Sequence, residues 1–207
     1  MDLIYTPWIY IIKGYVFGSF LFSEIFMKLF KNESLIEVSE NHNPGVSNAF
    51  IYGGFFTGFF SLIFDLIKAF LPIYQYVKEF GYDGPELALV LCAPVLGHAF
   101  SIFHHFNGGM SITASFGALL AIYGYHRLVI ILALLFIFAL LLPGLDNSIR
   151  TIIAFGGLAL VTFILFLYSV LPLNLLFGIC IISATVCRKI WPQARSSIEY
   201  EAIDNRR

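Results

Sequence analysis

Charge is what this 207-residue chain has least of: Asp, Glu, Lys and Arg make up 12% of it, about half of the ~25% usual for a soluble domain. Hydrophobic residues fill 59% and the mean hydropathy is +0.85. Too little polar surface remains to cover a water-soluble globule, so the composition excludes that class and indicates a polytopic membrane protein. A net charge of −1 likewise offers no basic face for nucleic acid. Cysteine is sparse as well. Cys92, Cys180 and Cys187 all lie in apolar runs without paired spacing, which excludes a disulfide framework or a zinc ribbon. The sequence also lacks a Gly-x-Ser-x-Gly elbow, a Walker lysine loop, a His-x-x-x-x-Asp box and a Cys/His dyad, so covalent catalysis has no evident nucleophile. No cofactor is expected. No cleavable leader is expected either, because Lys13 and Gly14 interrupt the first apolar stretch and no small-residue cleavage site follows.

What is present is a series of apolar runs near the length of a membrane span. They cover Leu3 to Phe22, Ala49 to Leu71, Glu86 to Phe103, Ser111 to Tyr125, Leu128 to Leu142, Ile149 to Tyr168 and Leu173 to Val186. The expected fold is therefore all-α, with about seven transmembrane helices joined by short loops. Pro72, the turn from Gly81 to Pro85, Pro143-Gly144 and Pro172 mark helix boundaries. The run from Ser111 is the shortest for a spanning helix, and a re-entrant or tilted segment is expected there. Residues 1–187 read as the membrane domain and 188–207 as a basic tail. Lys28, Lys31, Arg150 and the tail fall on one side, Lys78 and Arg127 on the other. By the positive-inside rule this places the C-terminus in the cytoplasm and the N-terminus outside.

Two polar islands interrupt the apolar pattern. The first, Ser39-Glu40-Asn41-His42-Asn43-Pro44-Gly45-Val46-Ser47-Asn48, precedes the second run and is rich in amide and hydroxyl groups that cap a helix. An open helix N-terminus there favours a phosphate or carboxylate, although a capped, solvated turn explains the composition equally well. The second, Gly97 to Thr113, carries His98, His104 and His105, then Gly108-Gly109 and Ser111. No carboxylate in it completes a metal site, so the glycine pair leading into a hydroxyl-rich helix start reads as an anion site instead. The deduced topology puts both islands on one membrane face, where they can form one site. Within the second run, Asp65 and Lys68 are spaced i, i+3 and are expected to pair or to line a polar cavity.

Together these motifs resemble the PlsY family of integral-membrane acyltransferases. The family typically shows Gly-Ser, then Ser-Gly-Ser-Gly-Asn-x-Gly-x-x-Asn, matched in order by Gly18-Ser19 and by Ser39, Asn43, Pro44, Gly45 and Asn48. Its Phe-Asp-x-x-Lys-Gly-x-x-Pro is similar to Phe64 through Pro72. Its Gly-His-x-x-Pro-x-Phe and Phe-Lys-Gly-Gly-Lys-Gly elements resemble Gly97-His98 through Phe103 and Phe106 through Ser111. Departures fall on the motif serine, here Asn41, on the following arginine, here Ile51, and on both lysines of the glycine-rich motif, here Asn107 and Met110. The third family motif, with His, Asn and Arg, has no clear match between Cys187 and Ser197. The resemblance implies transfer of an acyl group from acyl-phosphate to glycerol 3-phosphate or a related acceptor in a lipid membrane. It implies catalytic roles for Asn43, His98 and His105, with an imidazole as general base, and substrate contacts from Ser39, Asn41, Gly45, Asn48, Asp65, Lys68, Gly97, Gly108, Gly109 and Ser111. The alternative reading keeps the fold but not the chemistry, as a lipid-binding or partner-binding membrane protein.

Overall fold

The computed structural model describes residues 6–204. Among them lie nine α-helices, two single-turn 3-10 segments (Ile102–His104 and Tyr123–Tyr125) and no strand. The helices are α1 (Trp8–Gly18), α2 (Phe22–Lys31), α3 (Leu35–Val38), α4 (Val46–Phe80), α5 (Leu87–Ala99), α6 (Ile112–Ala121), α7 (Arg127–Leu141), α8 (Asn147–Leu167) and α9 (Leu173–Asp204). Each expected apolar run is helical over most of its described length. Leu3 to Tyr5, at the start of the first run, and Arg206 and Arg207, at the end of the tail, lie outside the described residues.

Among the described residues, five segments have the length and apolarity to cross a bilayer: Trp8–Lys31, Val46–Phe80, Leu87–His104, Asn147–Leu167 and Leu173–Glu199. Helices α6 and α7 are apolar but short. Ten residues of helix in α6 rise only ~15 Å, half of a ~30 Å hydrocarbon core. Five full-length spans and two shorter apolar helices thus stand where seven crossings were expected.

Helix α5 is the centre of the bundle. Its span is 67% buried, against 28% for those of α4 and α8, and it packs on α1, α4, α6 and α9. This follows from a sequence that is apolar all round rather than on one stripe. Close helix pairs depend on missing side chains. A Cβ on Gly18 would lie 2.2 Å from the Pro94 carbonyl oxygen, and one on Gly117 would lie 2.4 Å from that of Leu66. Bare backbone at these points lets α1 meet α5 and α6 meet α4, as is common where lipid tails remove any hydrophobic drive for helix association. On the outside, Phe55, Phe56 and Leu141 are 66%, 70% and 75% exposed, an apolar coat suited to acyl chains rather than water.

Three boundaries differ from the sequence expectation. Pro72 sits inside α4 and does not end it. Ile73, Tyr76 and Val77 beyond it are buried, and that packing outweighs the one lost N–H donor. The break in α4 occurs instead at Gly54, with φ 80° and ψ −176°, a conformation open to glycine because it has no Cβ. The first run is also divided: α1 stops at Gly18 and α2 begins at Phe22. The carbonyls freed at that break are used, since Ser19 accepts from the Ser101 hydroxyl at 2.6 Å and Phe20 accepts from the Lys68 ammonium. At the other end of the chain, α9 passes position 188 without a break, and Ile190 and Ala194 remain buried.

Candidate functional site

Three helix N-termini converge on one cavity of about 570 Å³. The loop before α4 and its first turn contribute Asn41, Asn43, Gly45, Ser47 and Asn48. The start of α6 contributes Met110, Ser111, Ile112 and Thr113, and the start of α8 contributes Asn147, Ser148, Arg150 and Thr151. Asp65 and His98 form part of the wall, and Ile190 and Gln193 of α9 complete it. Both polar islands therefore share one site. Each helix start brings unpaired N–H groups and the positive end of a helix dipole, so the cavity is polarised for an anion before any side-chain charge is counted.

Local chemistry holds each start in place. The Asn48 side-chain amide donates to Asn41 Oδ1 at 2.6 Å and to the Asn43 carbonyl at 2.8 Å, folding residues 41–43 over the end of α4. Ser23 adds a hydroxyl bond to the Pro44 carbonyl. Ser111 precedes α6 with φ 63°, and its hydroxyl donates to the Val95 carbonyl at 2.9 Å, tying α6 to α5. At α8, the Asp146 carboxylate accepts the Ser148 N–H at 2.7 Å, an N-cap. Burial opposes the charge on Asp146, but donors from Ser148 and Asn147 outweigh it and hold the carboxyl below its ordinary value.

Beneath the cavity Asp65, Lys68 and His98 form a buried cluster. Lys68 Nζ is 2.7 Å from Asp65 Oδ1 and 2.7 Å from His98 Nδ1, and it also donates to the Phe20 carbonyl. Side-chain exposure is 1%, 1% and 3%, so the lysine does not reach toward an interface. Because an ammonium can only donate, His98 Nδ1 accepts and the ring proton sits on Nε2. That nitrogen lies against Gly109, where a Cβ would approach it to 2.4 Å.

Of the residues singled out from sequence, Asn41, Asn43, Gly45, Asn48, Asp65, His98 and Ser111 line the cavity. Lys68 stands directly behind Asp65 and His98. The remaining five lie elsewhere. Gly97 packs on the Tyr15 carbonyl, with 2.2 Å for a hypothetical Cβ. Ser39 is buried off the wall, and His105 is exposed at φ 51° on the loop after α5. Gly108 and Gly109 donate their N–H groups to the Ala99 and His98 carbonyls at 3.0 and 3.1 Å. Their amides are consumed by the loop, so the glycines shape the turn that leads into α6, and the donors left for an anion are those at the start of α6. Among the described residues no group of three or more His, Cys, Asp or Glu is placed to hold a metal ion. Sequence reasoning used Arg150 for topology alone and passed over Asn147, Ser148, Thr151 and Gln193. The Asp146-Asn147-Ser148 cap after Pro143-Gly144 was the available signal of a helix start.

This arrangement has counterparts. The family model described as glycerol-3-phosphate acyltransferase matches residues 8–199. The chain belongs to that family. A glycerol-3-phosphate acyltransferase of Actinobacillus pleuropneumoniae serotype 5b is 36% identical over 119 residues, covering 56% of this chain and 59% of that protein. Another, from Thermosipho melanesiensis, is 35% identical over 139 residues, covering 67% and 65%. The chain thus aligns with less than two thirds of the length of these curated relatives. In three dimensions the match is wider. The crystal structure of PlsY, an integral membrane glycerol 3-phosphate acyltransferase, in its glycerol 3-phosphate form superposes with a TM-score of 0.80 at 26% identity, over 93% of this chain and 92% of that one. The lysophosphatidic acid form gives 0.73 at 27% identity, over 88% and 87%. As a member of the glycerol-3-phosphate acyltransferase family, the chain is a multi-pass integral membrane protein.

Proposed function

We propose that this chain transfers an acyl group from an acyl-phosphate to the hydroxyl of glycerol 3-phosphate or a related acceptor in phospholipid synthesis. The observation that carries this reading is the two-sided character of the cavity. One side is built from three helix starts and hydrogen-bonding side chains, Arg150 and Asp65 among them. The other is formed by Ile51, Phe136, Leu140 and Ile190. Ile51 is 71% exposed and Leu140 59%, so the apolar side opens toward lipid, where an acyl chain can lie while its phosphate reaches the helix starts.

The chemistry needs no protein nucleophile. The acceptor oxygen attacks the acyl carbon, the bond from that carbon to the phosphate oxygen breaks, and the hydroxyl proton leaves with the phosphate. Asn43 and Asn48 orient the acceptor, and the N-terminal amides of α6 hold the donor phosphate, so the rate derives from positioning and electrostatic preorganisation. With its proton on Nε2, His98 is a hydrogen-bond donor at the cavity wall, which replaces the role of general base expected from sequence. His105, outside the cavity, has no part in the step. Lys28, Lys31, Arg150 and the basic stretch from Arg188 support a cytoplasmic C-terminus and an outer N-terminus by the positive-inside rule, with the cavity facing the cytoplasm.

A second reading, a scaffold that binds lipid without turnover, draws support from Ile51 and Met110, two side chains on the wall that bring no charge. The two separate by mass spectrometry of lipid products after the purified chain meets palmitoyl phosphate and glycerol 3-phosphate. Lysophosphatidic acid that disappears in Asn48→Ala supports the enzyme. Retained lipid binding with no product from the unmodified chain replaces the enzyme with the scaffold.

A further inference from the structure

Among the described residues that line the cavity, Arg150 is the one Lys or Arg. Its guanidinium is held but not saturated. Nη1 donates to Asn147 Oδ1 and Nη2 to the Leu142 carbonyl, both at 3.3 Å, at the long end of the useful range. Its Nε is buried and has no hydrogen-bond partner. A buried donor left unpaired is costly and uncommon unless a ligand completes it. The charge is uncompensated too. Asp65, the carboxylate on the same wall, is ion-paired with Lys68 at 2.7 Å, and no described carboxylate pairs with Arg150. The guanidinium also stands on the first turn of α8, so side-chain charge and helix dipole act on the same volume.

We propose that Arg150 is the phosphate anchor of this cavity, offering its guanidinium N–H groups to a phosphate monoester or acyl-phosphate oxygen. A guanidinium offers two parallel N–H bonds to such a group, which an ammonium cannot reproduce. Apart from Asp65, whose charge is matched by Lys68, the remaining wall, with Asn41, Asn43, Asn48 and Gln193, is neutral. The site therefore concentrates its full positive charge on one phosphate and recognises the rest of its substrates by neutral hydrogen bonds. The acyltransferase reading enters here only in naming the two phosphates that could occupy the anchor, that of the acceptor and that of the donor.

The test is calorimetric titration of the full-length chain in neutral-lipid nanodiscs with glycerol 3-phosphate and, separately, with palmitoyl phosphate. Arg150→Gln should keep its melting behaviour and lose about tenfold or more in affinity for one of them, and the probe affected identifies which phosphate is anchored. The salt dependence of that probe should flatten at the same time. Arg150→Gln combined with Met110→Lys, which returns a cation to the same wall, should recover part of the loss. Arg150→Lys keeps the stem and the charge but not the fork, and should fall between the two. Wild-type affinity for both probes in either single variant overturns the assignment, as does an unmodified chain that binds neither. Binding through Arg150 without lysophosphatidic acid product sinks the acyltransferase reading and leaves the anchor standing.

Discussion

Replacing Lys68 by Met tests whether the buried cluster supports the fold. The substitution is close in volume but removes the partner of Asp65 at 2.7 Å, the donor to His98 Nδ1 at 2.7 Å and the donor to the Phe20 carbonyl. The carboxylate left behind is 1% exposed, so water cannot replace the ammonium. Breaking a buried pair from one side costs about 3–5 kcal/mol, and an orphaned carbonyl adds roughly 1–3 kcal/mol. The expected loss for Lys68→Met is therefore about 4–8 kcal/mol, a large share of the roughly 5–15 kcal/mol that separates folded from unfolded proteins. Removing both charges, in Asp65→Leu with Lys68→Met, should recover most of the ion-pair part, because an apolar pair of similar volume carries no stranded charge. Steric trapping in bicelles, with the two single variants and the double variant forming a cycle, measures this directly. A loss below about 1 kcal/mol for Lys68→Met, or a double variant as unstable as the sum of its parts, would refute the reasoning and make the pair incidental.

Gly18→Leu should prevent stable assembly, because its Cβ would already meet the Pro94 backbone at 2.2 Å and backbone cannot give way; size-exclusion profiles and thermal melts of the detergent-solubilised chain report it. Gly109→Leu should instead leave most of the bundle intact and abolish product formation, since the first atom it meets is His98 Nε2 at 2.4 Å; normal activity in the mass-spectrometric assay would show that this face of His98 is not used. Asp146→Ala should cost about 1 kcal/mol through loss of the α8 cap, read as a lowered melting temperature. The same contribution carries a pH signature: the folded carboxyl lies below its ordinary value, so the stabilisation is complete above the ordinary aspartate range and is lost as pH falls through the folded value. A wild-type melting curve that runs parallel to that of Asp146→Ala down to strongly acidic pH would contradict it.

Composition and hydropathy alone set the solvent of this protein, and with it the fold class, because a chain with 12% charged residues has no means of covering itself in water. The order of the polar islands was legible for a related reason. His98 and Ser111 are costly within or at the edge of apolar runs, and Asn43 and Asn48 form a polar island directly before one, so their presence marks a site that must line a cavity or be paired, and all four reach one cavity wall. What the linear sequence left open were contacts between segments distant along the chain. Nothing local distinguishes a proline that ends a helix from Pro72, which is kept inside α4 by the buried residues beyond it. Nothing local shows that the amides of Gly108 and Gly109 are taken by the carbonyls of Ala99 and His98, or that His105 is turned outward while His98 is locked by Lys68. Arg150 is the clearest case. In sequence it is one cation after a turn, and only the packing of α8 beside α7 and α9 brings it to the wall that Asn48 and Ser111 approach from the other side. Hydropathy is a sum over single residues and survives without the fold; a binding site is a set of distances between residues a hundred positions apart, and those exist only after the helices have packed.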